Sequence, residues 1–547
     1  MKIKNIFLTA LVSGAAALSV SSCDFLDTTP HDFTAPETFY SNEEECRMAL
    51  AGVYMSLAGD GAYANEFGVL MTNSDDLSYY GRTNKSDYVP NNSHTESTET
   101  IWKAWLEFYT GINNANVLIE NIGNASIDDE ATRNAILGEA RFLRAYYHFL
   151  LAQSWYNVPL RKESVKDITK AMAEPVPHLE ALDWIITEME DALPLVDDSK
   201  YDKSSSHVKK TVVEGILARV YLWKAGYNNF KAPEDPELDA AAVTECYTKA
   251  LAHAQAVKDS GKHALVSTAE HPENIYLLWK KLANDEYETV SNECMWEVEF
   301  TGNREDGSYS YGKIGSILGN LQNVDAKSPL GYSYGYFRAS AYLWSLYEEG
   351  DLRKDLSIAP YTLVEDKKTH EVRKVDIAGP TDRCCGKYRR EWETKFTVKS
   401  KNYTACNYPL LRYADVLLMI AEAENELNGP TAAAHEALNM VRTRANVAAL
   451  SGLDKAAMTV AIQEERAREL CFESIRRFDL VRWGMYTSQI TETLQKFIDE
   501  GKWSKNTTAA AEEFISQTSK DGKHTFYPIP SNERSVNTLL PQNPFWN

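Results

Sequence analysis

Apolar residues along most of the chain recur every three or four positions. Leu179, Leu182, Ile185, Met189 and Leu193 fall on one stripe of a 3.6-residue helix, the mark of an element with one buried face. The same spacing predicts helices over about Thr100 to Ile122, Asp129 to Tyr156, Val208 to Tyr227 and Ala240 to Asp259. Further ones cover Leu411 to Leu427, Thr431 to Val447 and Thr459 to Phe478. Within the Leu411 to Leu427 helix, Asp415 and Glu422 to Glu426 are expected on solvated faces, the usual place of charge runs.

In Glu214 to Leu222 small residues such as Gly215 and Ala218 alternate with bulky ones, as two closely approaching helices require. Such pairs resemble tetratricopeptide-like units, although long insertions break any strict period. Stacked pairs bury one continuous core and leave a curved support for loops. The predicted fold is therefore mainly α, a tetratricopeptide-like helix-pair scaffold carrying long irregular loops. Three stretches lack the helical period: Asn65 to Glu99, Thr289 to Ser340 and Ala359 to Pro409. Gly, Asn, Ser and Tyr are concentrated there, and long loops in a compact domain tend to be functional. Met295 to Phe300 alternates like a strand, with Trp296 expected in the core. No low-complexity linker interrupts the chain after its leader, so residues 23–547 read as one domain.

The leader is residues 1–22. Lys2 and Lys4 precede an apolar run from Ile6 to Val20, then Ser21, Ser22 and Cys23, the layout of a secretory signal peptide. The run is shorter than the roughly 20 residues of a membrane span. Val20-Ser21-Ser22-Cys23 resembles a bacterial lipobox, in which the Cys23 sulfur is lipidated and anchors the protein to a membrane. Seven further cysteines are scattered without a CxxC pair, and adjacent Cys384 and Cys385 are too few for a structural zinc site. Most are expected to act as small buried hydrophobes. The formal charge of −21 argues against nucleic acid as the main partner, because that affinity rests on a basic surface.

Several motifs do not hold together as chemistry. Gly331-Tyr332-Ser333-Tyr334-Gly335 matches the G-x-S-x-G nucleophile elbow, but no hydrophobic strand precedes it and its tyrosines suit a binding loop. The eleven histidines show no HExxH or HxxxH spacing, and His148 on an apolar helix reads as a satisfied core residue. Asn303 to Gly307 fails the EF-hand spacing and reads as a solvated acidic turn. No glycine-rich loop supplies a phosphate cradle. No cofactor is expected.

A series of segments runs in order along the chain: Cys23 to Asp27 with Pro30, Gly138 to Tyr147 with Trp155 to Pro159, Leu411 to Met419 with Ala421 to Ala423, and Leu438 to Ala445. Glu464 to Leu470, Arg477 to Gly484, Phe526 to Pro530 and Gln542 to Pro544 complete it. In register, these segments resemble the SusD/RagB family of nutrient-binding surface lipoproteins. The resemblance implies a helical scaffold that captures oligosaccharide, less often peptide or another nutrient, without performing chemistry. It also implies an outer-membrane, outward-facing location and a SusC-like TonB-dependent transporter as partner. By the same resemblance Arg141, Arg144, Asp415, Arg466 and Arg482 cross-link helices. A lipid-anchored glycoside hydrolase is the rival class, needing two carboxylates about 5–10 Å apart across a sugar bond.

A glycan binder needs ring faces for pyranose C–H groups and polar tips for hydroxyls, which Tyr and Trp supply. Two loop clusters have that mixture. The first offers Asp76, Tyr79, Tyr80, Arg82 and Asn92 as ligand-binding residues. The second offers Tyr309, Tyr311, Tyr332, Tyr334 and Tyr336.

Overall fold

The structure is a computed structural model that describes residues 39–82, 89–167, 171–199, 203–300, 312–396, 399–503, 507–518 and 521–546. Its scaffold begins with α1 (Glu43–Met55), α2 (Glu99–Asn121), α3 (Glu130–Trp155), α4 (His178–Ala192), α5 (Lys210–Ala225) and α6 (Ala240–Asp259). After a long insertion come α7 (Tyr413–Asn428), α8 (Ala432–Arg444), α9 (Lys455–Leu470), α10 (Arg476–Arg482) and α11 (Thr508–Thr518).

Local sequence explains where these helices start. Asn42, Asp129, Asp239, Thr431 and Asp454 each cap a helix by accepting a bond from a first-turn backbone N–H. Glu43, Glu44 and Glu45 add negative charge at the N-terminus of α1, where the helix dipole favours it. Gly429, at φ +79°, stops α7.

Each helix packs on the next, α1 on α2 through to α5 on α6, and α6 then packs on α7 across the insertion. Close approach depends on the small residues seen in the sequence. A Cβ at Gly111 of α2 would lie 2.6 Å from the Tyr147 ring of α3, and one at Gly215 of α5 would lie 2.6 Å from Leu411. From Gly138 to Trp155 helix α3 is buried at every position but Arg141, which places it at the centre of the array. This is the expected mainly helical, tetratricopeptide-like arrangement.

Strands in the loops tie them to the scaffold and to one another. β1 (Ser78–Tyr80) pairs antiparallel with β4 (Phe337–Ala339), so Tyr80 faces Phe337 and Tyr79 faces Arg338. β2 (Cys294–Val298) pairs with β7 (Tyr408–Arg412), and β3 (Gln322–Asn323), β5 (Tyr361–Glu365) and β6 (Val372–Asp376) form a small separate sheet. The predicted strand at Met295 is therefore present, but all five residues of β2 are buried, Glu297 included. Glu297 is tolerated there because Asn407 Nδ2 donates to it at 3.0 Å.

The predicted solvation of the α7 charges does not hold for Asp415 and Glu422, both of which are buried. Arg466 and Arg219 donate to Asp415 at 2.8 and 2.7 Å, and Arg482 joins Glu422 to Asp479. These ion pairs bind α5, α7, α9 and α10 together. Arg141 and Arg144 likewise both grip Glu188, joining α3 to α4. The four arginines and Asp415 of the signature segments thus cross-link helices, as expected. His148 is satisfied at both ring nitrogens, by the Arg144 carbonyl at 2.9 Å and the Arg161 N–H at 3.0 Å. Trp296 is in the core, and all seven described cysteines are free and buried.

Candidate functional site

Residues Gly331 to Ala339 run as an extended segment whose side chains alternate between interior and surface. Ser333, Gly335, Phe337 and Ala339 point inward, while Tyr332, Tyr334, Tyr336 and Arg338 are half-exposed on the other face. The backbone is fixed by neighbours on both sides. Ser333 and Gln322 exchange N–H···O bonds of 3.1 and 3.0 Å, and Tyr334 and Tyr336 donate to Ser316 and Ile317 carbonyls at 2.7 and 3.0 Å. Gly81 donates to the Tyr336 carbonyl at 2.8 Å, and Arg390 reaches the Tyr332 carbonyl at 2.7 Å. Glycine is required at 335: φ is +52°, and a Cβ would lie 2.8 Å from Leu321 and 2.9 Å from the Cys384 sulfur.

On this rigid base the three phenol rings form a ladder. Tyr332 meets Tyr334 edge-on with centroids 4.8 Å apart, and Tyr334 lies 4.9 Å from Tyr336 at a tilt of 33°. Tyr334 Oη donates to Asn402 Oδ1 at 3.0 Å. Lys401 Nζ sits 4.8 Å from the Tyr332 centroid, and the Arg82 guanidinium sits 4.7 Å from that of Tyr336. The ladder thus offers half-exposed ring surface, phenol oxygens and an amide, with cations at its ends.

The first sequence cluster divides. Arg82 is exposed at the end of the ladder, but Asp76, Tyr79, Tyr80 and Asn92 are buried. Asp76 makes a bidentate pair with Arg476 at 2.9 and 2.7 Å, so its charge is satisfied inside the fold. The Tyr79 ring packs 4.5 Å from Trp503, and burial raises its phenol pKa. Tyr80 supports Tyr336 from below at 5.5 Å and packs edge-on against Phe337. Asn92, at φ +55°, donates to Tyr486 Oη and Thr518 Oγ1 at 3.1 and 2.8 Å. In this arrangement these four hold the surface rather than form it. Burial also pushes the Asp75 carboxyl up to about 7, with the neighbouring Asp76 charge adding to the effect. Tyr309 and Tyr311 lie outside the described residues, as do Cys23 and the Asn303 to Gly307 turn.

Lys401 and Asn402 are the additions that the structure makes. They belong to the aperiodic stretch Ala359 to Pro409, within the polar run Lys399-Ser-Lys-Asn-Tyr403. Ser333, the serine of the elbow-like motif, is buried and donates to the Ser316 carbonyl at 3.2 Å. Among the described residues no three His, Cys, Asp or Glu side chains gather as a metal set. A separate groove lined by Trp105, Tyr109, Arg161 and Glu533 opens beside α2, without a comparable row of rings.

Residues 292–546 match the model of the SusD family, and residues 24–222 match a model described as starch-binding, associating with the outer membrane. The chain belongs to the SusD/RagB family. Among curated relatives it is 26% identical to SusD-like protein P25 of Formosa agariphila, over 99% of this chain and 98% of that one. A SusD-like protein of Bacteroides ovatus is 25% identical, over 87% of this chain and 82% of the other. Among solved structures, a SusD homolog from Bacteroides thetaiotaomicron superposes with a TM-score of 0.79 at 25% identity, covering 93% of this chain and 98% of its own. A laminarin-binding SusD-like protein shares the fold at a TM-score of 0.68 and 21% identity, covering 92% and 100%.

Proposed function

We propose that this SusD-family chain is a lipid-anchored outer-membrane protein that binds oligosaccharide at the tyrosine ladder. It acts by contact alone and passes its ligand to a SusC-like TonB-dependent transporter. The observation that carries the reading is the row of Tyr332, Tyr334 and Tyr336 on one face of a rigidly held segment. Rings held this way meet sugar C–H groups with little ordering cost, while the phenols and Asn402 serve hydroxyls. The family membership, the outer-membrane description of the matched model and the glycan-binding names of structural relatives support it. The lipobox-like Cys23 supports the anchor.

Hand-over to a transporter favours modest affinity, micromolar to millimolar, or about −8 to −4 kcal/mol. Calorimetry of residues 24–547 against neutral and acidic oligosaccharides, with analysis of the sugar afterwards, tests the reading. Binding with the glycan intact is the expected result. Liberated shorter sugar would transfer the protein to the hydrolase class, and binding of peptide in place of sugar would change the nutrient. Cys23→Ala is expected to move the protein from the membrane fraction to the soluble fraction.

A further inference from the structure

The distribution of charge on the ladder face points to a class of glycan. The chain as a whole is acidic, with 78 Asp and Glu against 57 Lys and Arg. Many interior arginines are matched by carboxylates, as with Arg353, Arg412, Arg466 and Arg482, although Arg389 and Arg477 are held by carbonyls and phenols instead. The ladder face is different. Arg82, Arg338 and Lys401 all reach it, and among the described residues none has a carboxylate within 4.0 Å. Arg338 projects on the same side as Tyr336, donating through Nη1 to the Asp382 carbonyl at 3.1 Å and the Cys384 sulfur at 2.7 Å, with its Nε buried and without a partner. Asp382 thus approaches through its backbone. Beyond it Arg383 covers the Trp344 ring at 4.2 Å, and Lys354 covers the same ring at 3.9 Å.

Rings and cations are therefore paired. Lys401 lies over Tyr332, and Arg82 lies over Tyr336. Each ring fixes its cation by attraction to the ring's negative face, while the cation's N–H donors remain available to a ligand. A guanidinium held this way presents a fork that matches a carboxylate or sulfate. Lys401 and Arg82 stand against different rings, Tyr332 and Tyr336, with the Tyr334 ring between them.

Resting on the reading of the ladder as the glycan site, we propose that its ligand is an anionic oligosaccharide bearing carboxylate or sulfate groups on more than one sugar. Lys401 meets one such group, and Arg82 with Arg338 meets another.

The test is calorimetry of residues 24–547 with an oligogalacturonate, a sulfated oligogalactan and a neutral β-glucan oligosaccharide of similar length. At low salt at least one anionic ligand is expected to bind about tenfold or more tightly than the neutral one. Raising NaCl from about 50 to 300 mM should weaken that binding about fivefold or more, since exposed charges are screened. The two anionic arms separate carboxylate from sulfate recognition. Arg82→Gln with Lys401→Gln alters two exposed side chains and should abolish the preference while leaving the unfolding midpoint unchanged. Neutral glycan bound as tightly as anionic, without salt dependence but lost in Tyr334→Ala, would overturn the charge assignment and leave the site intact. Anionic binding insensitive to the double variant would overturn it as well. Absence of binding to all three sugars, or binding indifferent to Tyr334→Ala, would instead overturn the reading of the ladder itself.

Discussion

Tyr80 and Tyr334 are nearly equivalent in sequence, each a loop tyrosine among Ser, Gly and Tyr, yet the fold gives them opposite duties. Tyr80 is 1% exposed beneath Tyr336, so Tyr80→Ala leaves a cavity and is expected to cost about 3–5 kcal/mol of stability. Tyr334 is half-exposed, and Tyr334→Ala should weaken glycan binding by about 1–3 kcal/mol with little loss of stability. Denaturant midpoints measured beside the calorimetry separate the two. Glu297 gives a prediction in pH. Burial raises its carboxyl to about 7 from an ordinary 4.5, so the folded chain holds that proton more tightly than the unfolded chain. Its contribution is fully present below about pH 4.5 and is lost as pH rises to 7, a change of about 3 kcal/mol. Glu297→Gln keeps an oxygen for the Asn407 amide, so its stability advantage over the parent should grow across that window and level off above it. Thermal midpoints of the two proteins from pH 4.5 to 8 check this. A constant difference would remove burial of the charge as the cause. At this scale the sequence was half legible. The spacing Tyr332, Tyr334, Tyr336 already puts three rings on one side of an extended segment. The burial of Asp76 depends on Arg476, 400 residues further on, which no local pattern encodes.

Among the elements, α7 shows what periodicity does and does not convey. The three-to-four-residue repeat located the helix, because an apolar stripe must recur at that spacing to be buried. It did not tell that a second, charged stripe is buried too. Asp415 and Glu422 stand seven residues apart on one face, and their partners come from α5, α9 and α10. Burial alone would raise the Asp415 carboxyl, but the guanidinium groups of Arg466 and Arg219 outweigh it and hold it at about 2. Such a network is costly to break from one side, since buried charge is left with fewer partners. Arg466→Ala removes the guanidinium shared by Asp415 and Asp479, leaving Asp415 to Arg219 and Asp479 to Arg482, and is expected to cost about 3 kcal/mol. The double change Arg466→Met with Asp415→Asn should cost clearly less than the sum of the two singles, the sign of direct coupling. Urea unfolding of the four proteins of that cycle gives the coupling energy, and strict additivity would mean the pair does not act as a unit. The arginines named from family resemblance fall at these junctions because a helix array held by few long loops needs cross-links between helices distant in sequence.

At the scale of the molecule, the two matched family regions, 24–222 and 292–546, invite a division that the packing opposes. The first ends inside α5, whose far side is covered by the second. Gly215 admits Leu411 of β7, and a Cβ at Gly226 would lie 2.4 Å from the Arg482 carbonyl. Tyr63 packs 5.5 Å from Tyr408, Tyr146 packs 4.8 Å from Trp296, and Trp223 meets Phe478 at 6.1 Å. The C-terminal segment returns to the first half, where Tyr527 donates to the Ser154 carbonyl at 2.8 Å and Asn543 to that of Trp155 at 3.0 Å. One hydrophobic cluster accordingly runs from Cys46 to Leu540. A fragment of residues 24–230 would expose the contact face of α5 and the central part of α3 with nothing to replace what covers them. It is expected to lack a cooperative thermal transition and to bind a hydrophobic dye, whereas residues 24–547 should unfold in one transition with calorimetric and van't Hoff enthalpies in agreement. The ladder gives this a functional consequence. Its base draws on β1 from the first half and on the Gly331–Ala339 segment from the second, joined by the pairing of Tyr80 with Phe337. Mixing separately produced halves should therefore restore sugar binding only to the extent that it restores the single transition. Binding recovered by residues 292–547 alone would show that the second half builds the rings' support without β1.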